Sequence, residues 1–205
     1  LGASLFFVLF PMLTKLQAIN EILTSVGETP ALTLVTGAAD TTAAETVLDA
    51  ETRKVLAKGW HFNTDEDFEI VPDVNGRLAV PADALSIDNT EETRSKYDLV
   101  ERSGFLYDKT THSNVIGAAV KCRIVRDVAF ADIPFHIQRV IVAQATRKYQ
   151  QSYIGSAALD TAATNELVQA VGASEDTEAD SDDYNILDNP LVYGRHWRRR
   201  YFGVI

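Results

Sequence analysis

Between Asp132 and Gly155 the chain reads as one long helix with both ends marked. Asp132 is placed to cap the N-terminus, and Pro134 is tolerated in the first turn, where its missing N–H has no helical partner to lose. Gly155 follows the last apolar residue and suits a left-handed stop. Ile133, Ile137, Ile141, Ala145, Tyr149 and Tyr153 recur every four residues with Val140 beside them, a continuous apolar stripe. Arg139, Thr146, Arg147 and Gln150 fall on other faces. Such a stripe must be covered, and the chain supplies three further helical segments to cover it.

Leu13, Leu16, Ile19, Leu23 and Val26 trace the first, which Gly27 ends. Thr42-Ala-Ala-Glu45 has the form of a capping box, and Ala44, Val47, Leu48 and Val55 continue a second helix to about Gly59. The third lies beyond Gly155: Ser156 can cap it, and Leu159, Ala163, Leu167 and Val171 repeat at spacing four. Residues 60–130 have a different character. Asp67–Val71 stops at Pro72, and Arg77–Val80 stops at Pro81. Lys96–Arg102 and Phe105–Tyr107 flank Ser103-Gly104 as a hairpin, and Val120–Val125 alternates as a half-buried strand. Asp88–Ser95 reads as a polar loop. Cys122 alternates with Val120 and Ile124 and is expected to be a buried thiol rather than a nucleophile. The fold class that follows is α+β: a four-helix bundle with an inserted small antiparallel β subdomain and an extended C-terminal tail. The expected divisions are an apolar arm at 1–12, helical parts at 13–59 and 131–174, the insertion at 60–130, and an acidic linker and tail at 175–205.

Charge narrows the function. The chain carries a net charge of −10, which disfavours a general nucleic-acid binder. Residues 175–183 hold six acids and no base, a run that resists folding alone. The tail from Tyr184 to Ile205 is net +3, with Arg195, Arg198, Arg199 and Arg200 against Asp188. Tyr193, Trp197, Tyr201 and Phe202 interleave with those bases. Such a composition can bind phosphate and stack bases, but Arg, Trp and Tyr also dominate protein interfaces, and the acidic body favours the second use. The single cysteine excludes an internal disulfide framework. The apolar run at 1–13 is too short to span a bilayer, is interrupted by Pro11 and lacks a basic flank, so an interface arm is expected rather than a membrane anchor. A soluble protein made in the cytoplasm is expected.

Catalytic motifs are missing. The chain has no Gly-rich phosphate loop, no His-Glu-x-x-His and no Gly-x-Ser-x-Gly. His61, His112, His136 and His196 are scattered, and no cofactor or metal is implied. Asp65, Glu66, Asp67 and Glu69 could supply paired carboxylates for a glycan hydrolase, although most such clusters are solvated strand ends.

Several phrases occur together in order: Ala18–Pro30, Lys58-Gly-Trp-His-Phe-Asn63, Val71-Pro-Asp-Val74, Gly104–Thr110 and the helix Ile133–Gly155. With these, residues 13–172 resemble the tail tubular protein A family, the adaptor (gatekeeper) proteins of short-tailed bacteriophages of the autographivirus type. The resemblance implies a helical bundle with an inserted β subdomain. It further implies a homo-oligomeric ring, a dodecamer, in the virion tail beneath the portal protein. The nozzle protein (tail tubular protein B) would lie below it, with tail fibres near the junction. Double-stranded DNA would pass through the ring without specific binding, and an acidic lumen would let it slide where lysines would trap it. The alternatives are a tail-associated glycan hydrolase using the acids at 65–69, or a nucleic-acid-binding protein using the basic tail. Candidate contacts with subunits or portal are Arg139, Arg147, Lys148 and Gln151 on the long helix, and Tyr193, Arg195, Trp197, Arg198, Arg199, Arg200, Tyr201 and Phe202 in the tail.

Overall fold

Thr14 begins the helical part of the chain. In the computed structural model, which describes residues 12–34 and 38–181, its hydroxyl accepts from the Gln17 N–H. The Gln17 side chain in turn accepts from the Thr14 N–H at 2.9 Å, a reciprocal capping box. Helix α1 (Lys15–Ser25) follows and buries Ala18, Ile19, Ile22 and Leu23. Gly27, at φ +86°, turns the chain away, and the Glu28 N–H returns to the Leu23 carbonyl at 2.9 Å. Helix α2 (Ala39–Leu56) starts at Ala38 without a side-chain cap. Thr42 therefore lies inside the helix, its N–H already bonded to the Ala38 carbonyl, and the expected Thr42–Glu45 box does not form.

Five strands and a short helix follow: β1 (Thr64–Ile70), β2 (Ala84–Asn89), α3 (Glu91–Arg94), β3 (Leu99–Arg102), β4 (Phe105–Asp108) and β5 (Val120–Arg126). Strand β5 is last in sequence but central in space, with β1 and β2 antiparallel on either side. Strands β3 and β4 form the expected hairpin. Ser103 (φ +54°) and Gly104 (φ +77°) both sit in the left-handed region, as a two-residue turn of this hand requires. Arg77–Val80 is not a ladder strand; it makes isolated bridges from Arg77 to Val115 and from Ala79 to Phe105, while Leu78 is fully buried. The expected loop at 88–95 is instead the end of β2 and α3. Val120, Cys122 and Ile124 point into a small core with Ile70, Leu78, Leu99 and Leu106, and burial pushes the Cys122 thiol up to about 11.

The chain then re-enters helix at α4 (Phe135–Tyr153). Asp132 does not cap it. It ends a 3-10 turn at Phe130–Asp132, and Pro134 holds the cap position, its carbonyl taking the Ile137 and Gln138 N–H groups at 3.0 Å. Gly155, at φ +70°, closes the helix by donating to the Gln150 carbonyl at 2.9 Å. Of the expected stripe, Ile133, Ile137, Ile141, Ala145 and Tyr149 are buried, whereas Tyr153 is exposed and stacks on Tyr149. With Ile19, Ile22, Leu23, Leu48, Val55 and Leu56 they form the main core among α1, α2 and α4. Gln138 lies within that apolar face at 0 % exposure, with both of its amide heteroatoms hydrogen-bonded. Its oxygen accepts from the Leu13 N–H at 2.9 Å, and its nitrogen donates to the carbonyls of Phe130 and Leu13. It pins the entries to α1 and α4 together.

Helix α5 (Ala157–Ser181) lies along α4 and contributes no side chain to the main core among the described residues. Its stripe is only partly covered: Ala163 is buried, Leu159, Leu167 and Val171 are half-buried, and Val168 is exposed. It continues as helix through residues 175–181, where a linker was expected.

At the junction of helices and insertion, the Asn63 side-chain amide donates to the Leu56 carbonyl at 3.1 Å and to the Arg126 carbonyl at 2.8 Å. Its oxygen accepts from the Trp60 N–H at 2.8 Å.

Candidate assembly surfaces

The outer side of α4 carries four of the residues that sequence singled out. Arg139, Arg147 and Gln151 share one edge because they are spaced by multiples of four. That edge faces α5 and α1. Arg139 reaches Glu21 on α1 with one guanidinium nitrogen and Glu166 on α5 with another, the latter at 3.1 Å. Arg147 and Gln151 both donate to one oxygen of Asp160, at 3.0 Å and 2.8 Å. The Arg147 bond first, then that of Gln151, holds the Asp160 carboxyl below the usual carboxylate range. These three residues tie α4 to α5, and Arg139 also ties it to α1. Lys148 is exposed and makes no ion pair among the described residues. The eight tail candidates, from Tyr193 to Phe202, lie outside the described residues.

Two apolar surface features escaped sequence reasoning. Met12 and Phe135, 48 % and 42 % exposed, lip a groove of about 530 Å³ beside α1 that also involves Leu13, Gln17 and Arg139. At the tip of the insertion, Val71, Val74 and Val115 are exposed around a tight turn. The Asp73 carboxylate orders that turn, accepting from the N–H groups of Asn75 and Arg77 at 2.8 and 2.9 Å. The Asp-Val-Asn-Gly run at 73–76 has the composition of a turn, but no local pattern shows which valines remain uncovered.

The carboxylates at 65–69 serve the sheet. Asp65 pairs with Arg126, which also holds Asp83 at 2.7 Å, and Glu66 pairs with Arg123 at 2.7 Å. Asp67 occupies the bulge in β1 at φ +54°. Each of the two cross-strand pairs ties β1 to β5. His61 opens a 3-10 turn, and among the described residues no group of His, Cys, Asp and Glu could hold a metal ion.

The outer helices of this α+β chain are tied together by arginine–carboxylate pairs, and comparison with known proteins decides what they belong to. The tail tubular protein family matches residues 16–184. This chain belongs to the tail tubular protein family. It is also similar to tail tubular protein A of Klebsiella phage KP34, 29 % identical over 141 residues that cover 69 % of this chain and 74 % of that one. As a tail tubular protein it is a structural component of the phage tail in the virion and not an enzyme. The reading of the 65–69 acids as a glycan hydrolase pair is thereby set aside, in agreement with the arginines that bind Asp65 and Glu66. Among the described residues, no helix is long and apolar enough to cross a membrane.

Proposed function

We propose that this tail tubular protein is the ring-forming adaptor of a short tail, seated between the portal protein and the nozzle protein, with tail fibres near the same junction. Genomic DNA would pass through its ring without specific binding. The observation that carries this reading is the family match over residues 16–184, joined to the ordered resemblance of residues 13–172 to adaptor proteins. The dodecameric state comes from that resemblance. The fold supports the same reading. Helix α5 rests on α4 with its apolar stripe half covered, so neighbouring subunits have helix surface to complete, and the four helices act as one bundle in the assembled ring. The net charge of −10 favours a lumen that repels the duplex.

Electron microscopy of the purified chain, alone and mixed with portal rings, tests the proposal. The expected result is a closed ring stacked on the portal with an acidic channel. A chain that stays monomeric and never joins a portal overturns it, and a lumen lined mainly by Lys and Arg overturns the conduit argument.

A further inference from the structure

A second groove, of about 270 Å³, is floored by α4 and flanked by α2 and α5. Lys54 and Lys58 line one side, Gln144 and Lys148 the floor, and Leu167 the other side. Its charge is unbalanced. Lys54 is matched by Glu51 at 2.8 Å, whereas Lys58 and Lys148 form no ion pair among the described residues. Both are exposed, in a chain whose net charge is −10. A groove with surplus cations suits an anionic protein segment.

The chain itself contains such a segment. Glu166 of α5 lies beside Arg139 of α4, fixing the two helices as antiparallel neighbours together with the Arg147–Asp160 pair. Fifteen residues of α5 follow Glu166, while only four of α4 precede Arg139, so α5 outruns α4 by roughly 16 Å at 1.5 Å per residue. That projecting end includes Glu175, Asp176, Glu178 and Asp180 and has no base in its last turn. Acids at a helix C-terminus oppose the macrodipole, so this end lacks the cations that would normally stabilise it. The two imbalances are complementary.

We propose that the groove between α2 and α5 docks the acidic C-terminal end of α5 from a second copy of this chain. The inference rests on the ring-forming reading above and supplies its subunit contact. The surfaces paired are different ones, so the contact is head-to-tail, the kind that closes into a ring when its rotation allows. Lys58 and Lys148 face the partner's carboxylates, and a helix laid between α2 and α5 covers the open side of Leu167.

Charge exchange tests it in the full chain. Lys58→Glu with Lys148→Glu, and separately Glu175→Lys with Asp176→Lys, Glu178→Lys and Asp180→Lys, are each expected to weaken self-association at least about tenfold in sedimentation velocity at low salt. Mixing the two variants is expected to restore it, because each then offers the other a complementary surface. Carbodiimide coupling of a mixture of isotopically light and heavy wild-type chains, which needs no variant to fold, is expected to link Lys58 or Lys148 to residues 175–180 between copies. The proposal is overturned by a mixture that does not recover, by couplings confined to single copies, by a wild type monomeric at low salt, or by groove variants that lose only retention on DNA. Rings that form on portals without rescue by the exchange sink the docking alone. Rescue in a chain that never joins a portal sinks the adaptor reading alone.

Discussion

Among the described residues, α1, α2 and α4 enclose sixteen buried apolar residues in one cluster, whereas the insertion between Thr64 and Arg126 gathers seven. The insertion makes up the difference with placed charges. Arg126 lies between Asp65 and Asp83 and over the Phe68 ring, 4.8 Å from its centroid. Asp108, only 2 % exposed, accepts from the N–H groups of Asp98, Thr110 and Thr111 and from the Thr111 hydroxyl at 2.7 Å. A small sheet on a helical scaffold thus keeps its shape by satisfying specific polar groups, while the scaffold relies on buried area. Losses should therefore spread through the helical body but remain local in the insertion.

The largest effect should come from Ile141→Ala at the centre of the main core. It is expected to lower global stability by about 3–4 kcal/mol in urea titrations followed by far-UV circular dichroism. Leu106→Ala in the smaller core is expected to cost about 2–3 kcal/mol, confined to the insertion. The reporter is Cys122, whose buried thiol is pushed up to about 11 and is inert while the insertion stays closed. Its labelling should accelerate in Leu106→Ala with the helical signal unchanged, and simultaneous loss of both would show that the two regions unfold as one. Asp108→Asn should cost about 1–2 kcal/mol, since the amide turns an acceptor toward the Thr111 donors into a second donor. The Thr111 hydroxyl, then the backbone N–H groups around it, hold the Asp108 carboxyl below its ordinary value near 3.8. A depressed folded value means that this stabilisation is present above the ordinary value and is lost as pH falls through the lower, folded one. The gap between wild type and Asp108→Asn should accordingly narrow on acidification below that ordinary value. Arg123→Gln removes an exposed pair with Glu66 and should change stability by less than about 0.5 kcal/mol. A larger loss would mean that the surface pairs of the insertion act as a network.

Periodicity made most of the helical body legible. The stripe of α4, the left-handed stops at Gly27 and Gly155 and the Ser103-Gly104 hairpin each follow from a local rule. The helix starts did not. Thr42 and Glu45 match a capping box, yet α2 begins three residues earlier at Ala39, because its alanine-rich start propagates without a cap. The box that does form, Thr14 with Gln17, lacks the glutamate that first draws the eye. Strand β2 was hidden because it is short: only Leu85 and Ile87 mark the period of two before Asp88 and Asn89 run into the polar stretch that follows. The sheet order is set by pairing between residues far apart in sequence, which no window of local pattern contains. Among the candidate contacts, the roles of Arg139, Arg147 and Gln151 in seating α5 became visible only when Glu21, Glu166 and Asp160 were brought beside them. Gln138 gave one faint signal, a polar residue within an apolar stripe.

The bonds of Asn63 have a consequence for how such a molecule can change over generations. The chain leaves the helices and returns to them at a single port, where Thr64 pairs with Val125 and Asn63 holds the Arg126 carbonyl. Leu85 of the insertion also packs against the helical core, so what is strung between those two positions can lengthen, shorten or be exchanged only where that cover and the Asn63 latch are kept.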